Sequence, residues 1–393
     1  MSIRSLEMFH VSVPLKTRVK HASHDRTSSD NLIVRVTLDD GTVGHGEGIP
    51  RSYVTGETIA TTFATLSTFD LARHLGHPAD FSAVVRRLET LVFPATAADP
   101  RGMAGNAARC ALELAVLDAY GQRFHEPLAT AVRLADVAAL PLADQPGRVR
   151  YSGAITAATG RRERVAAVKM RVYGFHQVKV KVGVAGQDDP ARLRVLRWIL
   201  GRRMDIRLDA NEAWPAADVV ERLRPLLPYR PTAIEQPVRH DEVESLTELR
   251  PRLGVPVMLD ESLCGYPDAV HAVEHGTADL LNVRLSKCGG VIPSLRIIGL
   301  AVRSGLGVQL GCHPGETGLL SAAGRHVAGN VRGLRYVEGS YDRHILARNL
   351  TVEDLTFHYG GWAEPMQGYG LGVRVDERAL RDMTREKAEI LYD

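Results

Sequence analysis

Residues 177–182 read QVKVKV, and the two faces of that hexapeptide are where the fold can be decided. Side chains alternate along a strand, so Val178, Val180 and Val182 share one face and Lys179 and Lys181 the other. The valines can pack under covering helices, whereas two inward lysines are costly unless they are paired or do chemistry. Taken alone, the hexapeptide equally fits a surface strand with two solvated lysines. Its surroundings turn the argument. Strand-like segments recur, each followed by a helical stretch: RYSGAIT, QVKVKV, DIRLDAN, TAIEQP, PVMLDES, DLLNVRLS, GVQLGC and LRYVEG. Their starts are spaced by roughly 23–28 residues, room for one strand, one crossover helix and two short loops. Eight such units predict an α/β protein with a (β/α)8-type, TIM-like barrel over 150–348. An open doubly wound sheet with extra strands is the alternative.

Towards the N-terminus the texture changes. MFHVSVPL, NLIVRVTL and TVGHGEGI alternate like strands, and Asp39-Asp40-Gly41 between the last two is hairpin chemistry. The polar KTRVKHASHDRTSSD between the first two reads as a loop. From about Gly56 to His125 apolar residues recur at three and four, as in NAARCALELAVLDAYGQRF. Residues 1–149 thus predict an α+β capping domain, and the tail 349–393, with GYGLGVRVDERAL, is expected to return to it.

Composition narrows the function classes. Of 393 residues, 49 are basic and 46 acidic, without a long like-charge block, so neither a nucleic-acid nor a membrane partner is expected. No apolar run reaches the ~18 residues of a membrane span, and the start lacks the apolar core of a signal peptide. Cys110, Cys264, Cys288 and Cys312 are scattered, which fits free thiols in a reducing compartment. A cytoplasmic protein that handles small molecules is the expectation.

Barrel enzymes carry their chemistry at the C-terminal ends of the strands. In DIRLDAN, Ile206 and Leu208 face outward, leaving Asp209 and Asn211 inward. Glu235 is the inward candidate in TAIEQP, and in PVMLDES Asp260 faces inward while Glu261 should face away. Asp209, Glu235 and Asp260 are one β/α unit apart in turn. A lone strand-end aspartate is more often a helix cap. Three carboxylates converging from successive strands repel one another unless a hard divalent cation joins them, and oxygen-only ligands favour magnesium or manganese over zinc. One unit on, NVRLSKCGG carries Lys287 before Gly289-Gly290. Strict alternation gives Lys287 the outward face of Val283 and Leu285, so an inward Lys287 requires a twist at the strand end.

The ordered series KVKV, DAN, EQP, DES and SKCGG resembles the muconate-lactonising (muconate cycloisomerase) branch of the enolase superfamily. The resemblance runs over nearly the whole chain, and five motifs in order are far more specific than any one. It implies a magnesium ion held by Asp209, Glu235 and Asp260, with Asn211 supporting them. It also implies Lys181 and Lys287 as acid/base catalysts on opposite faces of a small carboxylate substrate, and a homo-oligomer. Removing a proton α to a carboxylate makes an enediolate, whose charge a cation neutralises. A lysine base must be partly neutral near pH 7, and the cationic Lys179 would push Lys181 that way. Two facing lysines permit racemisation or epimerisation; the same apparatus permits cycloisomerisation, with a dehydratase as the nearest rival.

Departures from the family pattern mark where specificity lies. GCHPGETGLL carries Glu316, which matches a family glutamate after a local insertion, and His313, which is not the usual residue and suits either substrate contact or structural hydrogen bonding. Dipeptide epimerases of this branch carry Asp-x-Asp on the last strand for the substrate ammonium. Here Glu338-Gly339-Ser340 stands instead, which counts against a standard dipeptide epimerase. The cap loops KHASHDRTSS and PRSYVTGET should close over the mouth, with Arg51 and Tyr53 as candidate substrate contacts. A pyridoxal-phosphate racemase would not need three carboxylates, a non-catalytic relative would not need five intact motifs, and SGLGVQLG lacks the strand–turn–helix context of a dinucleotide site.

Overall fold

A computed structural model describes residues 2–20, 25–93, 99, 101–156 and 160–392. The N-terminal part is an antiparallel sheet of β1 (Ile3–Lys20), β2 (Asp25–Leu38) and β3 (Val43–Gly48), to which the C-terminal strand Thr384–Leu391 adds on the free edge of β1. The β2–β3 hairpin turns where its sequence demands: Gly41 has φ 85°, and Leu38 N donates to Thr42 O at 2.8 Å. The polar stretch from Lys16 to Asp30, expected as a loop, instead continues the β1–β2 ribbon, with Pro14 opposite Ser28 and Val19 opposite Arg26. An antiparallel ladder is held through backbone groups, so its side chains need not alternate in hydropathy. Residues 21–24 of that stretch lie outside the described residues.

Alternate glycines in β3 seat the cap's sheet on its own helix. A Cβ on Gly44, Gly46 or Gly48 would collide with the backbone of Ala119, Ala111 or Ala107, so the helix Asn106–Phe124 lies directly against the strand. On the opposite face Glu47 is fully buried and accepts from Thr317 N (3.0 Å), Leu320 N (3.1 Å) and Asn31 Nδ2 (2.6 Å). It thereby satisfies free amides at the start of the helix Gly318–Asn330, in the barrel.

The short β4 (Val149–Arg150) leads into the barrel. Its strands are β5 (Gly153–Ile155), β6 (Gln177–Lys181), β7 (Asp205–Asp209), β8 (Ala233–Glu235), β9 (Val257–Leu259), β10 (Leu280–Val283), β11 (Gly307–Leu310) and β12 (Tyr336–Val337). Among the described residues these eight form one parallel sheet in chain order, curled so that Ser152 N, just before β5, donates to Val337 O of β12 at 2.8 Å. β13 (Trp362–Ala363) pairs with β4, and β14 is the returning strand Thr384–Leu391. The outward Val178, Val180, Ile206 and Leu208 join the main core under the helices. Inside, Ala233, Met258, Leu280 and Tyr336 make a separate apolar floor. Polar side chains stack above it, as expected for alternating positions filling a barrel in layers. Among the described residues no helix is long and apolar enough to cross a membrane.

Candidate active site

Strand register lines up the first part of the site. Lys181 pairs with Asp209 and Asp209 with Glu235, so these three stand side by side across β6, β7 and β8. Glu235 pairs with Met258, and Asp260 is the next inward position after Met258. All three carboxylates are nearly inaccessible, at 2%, 0% and 1% exposure. Burial first, then the charges of Asp209 and Asp260, push the Glu235 carboxyl above the usual range against the pull of Lys179 and Arg207. Burial would also raise Asp260, but Arg284 and Lys287 beside it hold it low.

Lys179 sits among the acids. Its Nζ lies 2.9 Å from Glu338 Oε1, 3.4 Å from Asp209 Oδ2 and 3.6 Å from Glu235 Oε1. Burial alone would lower its pKa, but Glu235, Glu338 and Asp209 outweigh this and hold the ammonium well above the usual lysine range. Arg207, fully buried, bridges Glu235 (Oε2 at 3.2 Å) and Glu338 and lies over the Tyr336 ring. Lys181 behaves oppositely: burial lowers its pKa, Lys179 and Arg284 add to that, and Asp209 and Glu261 oppose it. A lysine so placed is a better base than its neighbour two residues back.

Lys287 approaches from the other side. Strand β10 ends at Val283, and Gly289 and Gly290 then turn the chain with φ 90° and 118°. Alternation therefore no longer applies at 287, which resolves the parity objection. The cap pins this turn. Asn106 Nδ2 donates to Lys287 O at 2.8 Å, Ile49 N donates to Ser286 Oγ at 2.7 Å, and Glu113 accepts from Val291 N. Lys287 Nζ reaches Asp260 Oδ1 (2.8 Å), Asp260 O (2.6 Å) and Asn282 O (3.0 Å) and is 1% exposed.

The remaining expected residues fall in three places. Asn211, at φ 43°, donates from Nδ2 to Glu261 Oε1 at 3.2 Å. Glu261, expected to face away, is 7% exposed and close enough to Lys181 to affect its ionisation; β9 ends at Leu259, so the turn sets its direction. His313 is buried, and its backbone N donates to Glu316 Oε1 at 2.7 Å. Burial and then Arg284, Arg51 and Lys287 depress its pKa well below the usual histidine value. Glu316 is raised to about 8, chiefly by burial. Arg51 is 5% exposed and donates to Pro50 O (2.9 Å), Asp30 O (3.1 Å) and Ser29 Oγ (2.6 Å), knitting β2 to the loop after β3. Tyr53 OH accepts from Arg26.

Arg207 and Arg284 were missing from the expected set, although parity offers both. Arg207 is two before the inward Asp209, and Arg284 is two after Asn282, whose Nδ2 donates to Glu235 Oε1 at 2.9 Å. Arg284 ion-pairs with Asp260 and lies 3.9 Å from Glu235. The carboxylates fit a hard divalent cation: the donors are oxygen only, and the cationic nitrogens of Lys179, Arg207, Arg284 and Lys287 already stand among them. Arg284 and Lys287 hold Asp260 from the side.

The site thus sits in an eight-stranded parallel barrel, with carboxylates on three successive strand ends and lysines at either side. Residues 162–379 match the family described as "Enolase C-terminal domain-like", and the chain belongs to it. It is 28% identical to a hydrophobic dipeptide epimerase of Enterococcus faecalis over 98% of this chain and 97% of that protein. It is 26% identical to muconate cycloisomerase 1 of Rhodococcus opacus over 98% and 99%. The crystal structure of N-succinyl Arg/Lys racemase from Bacillus cereus superposes with a TM-score of 0.84 at 23% identity, covering 99% of this chain and 100% of that one. These relatives are isomerases, in agreement with the enzyme class and the branch expected from the motifs.

Proposed function

We propose that this protein is a racemase or epimerase that removes and returns the proton α to a carboxylate, with Lys181 and Lys287 facing the substrate from opposite sides. One observation carries it: the two lysines bracket the row of carboxylates. Lys181 is beside Asp209 at one end, and Lys287 is bonded to Asp260 at the other. Asp209, Glu235 and Asp260 would hold magnesium, or manganese, which neutralises charge on the substrate carboxylate during proton removal. Lys181 would act as the base, its pKa lowered by burial and then by Lys179. Lys287, held against Asp260, would deliver its proton to the substrate carbon from the other side. Lys179 stays charged and orients the acids around it.

The substrate is a small carboxylate without a free ammonium at the β12 end. Glu338 is engaged by Lys179 and Arg207, and Gly339 and Ser340 follow it, with Ser340 Oγ taken up by Arg325. Glu338 already has two cations as partners, which favours an N-acylated amino acid over a dipeptide. The relative named N-succinyl-L-Arg/Lys racemase, 24% identical over 98% of each chain, supports that reading. A screen of N-acyl amino acids, dipeptides and simple carboxylates in deuterium oxide with magnesium, read by mass spectrometry, tests it. Deuterium should enter the N-acyl compounds without loss of water. Exchange confined to free-ammonium dipeptides would overturn the substrate reading, and loss of water would make the protein a dehydratase.

A further inference from the structure

Away from the mouth, one other group of side chains is arranged as ligands. Among the described residues, Glu244, His271 and His275 each present one ligand atom within 4.8 Å of the others. His271 and His275 are one turn apart on the helix Tyr266–His275, so they share a face. Their rings stack with centroids 4.1 Å apart and 17° between planes. Glu244 comes from the 3-10 segment His240–Ser245 that follows β8, and its Oε1 is 2.8 Å from His271 Nε2. His275 Nδ1 lies 3.0 Å from His271 O; donating there, it leaves the lone pair on Nε2.

The two segments are already clasped. Thr247 Oγ1 donates to His275 O and Arg250 Nε to Gly276 O, both at 2.8 Å. Little reorganisation is then needed to gather the three ligands, which lowers the cost of binding. The cluster is open to water, with the His271 and Glu244 side chains 41% and 60% exposed.

We propose that Glu244, His271 and His275 form a second cation site, for a borderline divalent transition metal of the zinc class. Two imidazole nitrogens and one carboxylate oxygen match zinc, with the fourth position left to water. Magnesium prefers oxygen ligands throughout, so the mouth and this cluster select different ions. A zinc ion here would tie the segment leaving β8 to the helix after β9, the two units that carry Glu235 and Asp260, from the outside of the barrel.

The test uses the full chain, stripped with chelator and then kept in excess magnesium. Zinc is added and bound metal is measured by equilibrium dialysis for the parent, His271→Ala and Glu244→Gln. Parent protein should bind one zinc that both variants lose or bind at least about tenfold more weakly, with unchanged circular dichroism and magnesium binding. Zinc should also raise the parent's Tm and leave that of His271→Ala unmoved. Equal zinc binding in the parent and both variants, or none in the parent, would overturn the site.

Discussion

Lys287 donates to the main-chain oxygen and to the carboxylate of the same residue, Asp260, at 2.6 and 2.8 Å. An expected proton donor is thus tethered to an expected cation ligand, while Lys181 stands at the far end of the row beside Asp209. The asymmetry leads to distinct outcomes for the two lysines. In Lys287→Ala, deuterium exchange should fall by about 10²–10⁴ for one enantiomer of the substrate and persist for the other. Lys181→Ala should show the opposite selectivity. Equal loss for both enantiomers in each variant would contradict the two-face arrangement.

Arg284 competes with a cation for Asp260, since its guanidinium pairs with that carboxylate and lies 3.9 Å from Glu235. Arg284→Gln removes the competitor, and calorimetry should show magnesium bound about tenfold more tightly. The same variant without metal should be less stable by about 3 kcal/mol, because buried carboxylates lose a partner. Weaker magnesium binding would show instead that Arg284 supports the ligands.

The rate should rise with pH as Lys181 loses its proton, through a pKa that burial and Lys179 lower. Removing the Lys179 charge raises the Lys181 pKa, so Lys179→Met should move the acidic limb of the pH–rate profile upward. Lys179→Arg keeps a cation and should keep the limb. A Lys179→Met profile that stays in place would separate the two lysines electrostatically.

Glu47 clasps cap to barrel, and burial raises its pKa from 4.5 to about 7. The folded state holds this proton more tightly than the unfolded state. The associated stability is fully present below pH ~4.5 and is lost as pH rises through about 7. Tm measured across that window should decline, and Glu47→Gln should flatten the decline. An unchanged slope in the variant would assign the effect to other buried acids.

Gly46→Val places a side chain against the backbone at Ala111. It should cost about 3 kcal/mol through overpacking and lower Tm, whereas Gly56→Ala, at φ 73° in open space, should cost about 1 kcal/mol through backbone strain alone. Similar Tm values for the two variants would show that the helix can move away from β3.

Much of the barrel was legible because its signals are local. A strand's period of two sorted Val178 and Val180 from Lys179, and the length of a β/α unit set Asp209, Glu235 and Asp260 at successive strand ends. Those relations depend on neighbours in the chain, so the amino-acid sequence alone pointed to the eight units and the row of acids. Where a strand stops, the period stops. Glu261 and Lys287 lie beyond strand ends, and the turn that directs Lys287 is held by the cap through Asn106, Ile49 and Glu113.

Only the tertiary structure decided the pairing of charges. Lys179 meets Glu338 from β12, Arg207 joins Glu338 to Glu235, and Arg51 is drawn into the cap by Ser29 and Asp30. Each joins residues far apart in the chain, and curling the sheet until Ser152 meets Val337 is what brings β12 beside β5 and β6. In a buried site the energy of a charge depends on every charge within a few ångströms. Which lysine is held charged and which is eased towards neutrality is therefore a property of the closed barrel, not of the motif KVKV.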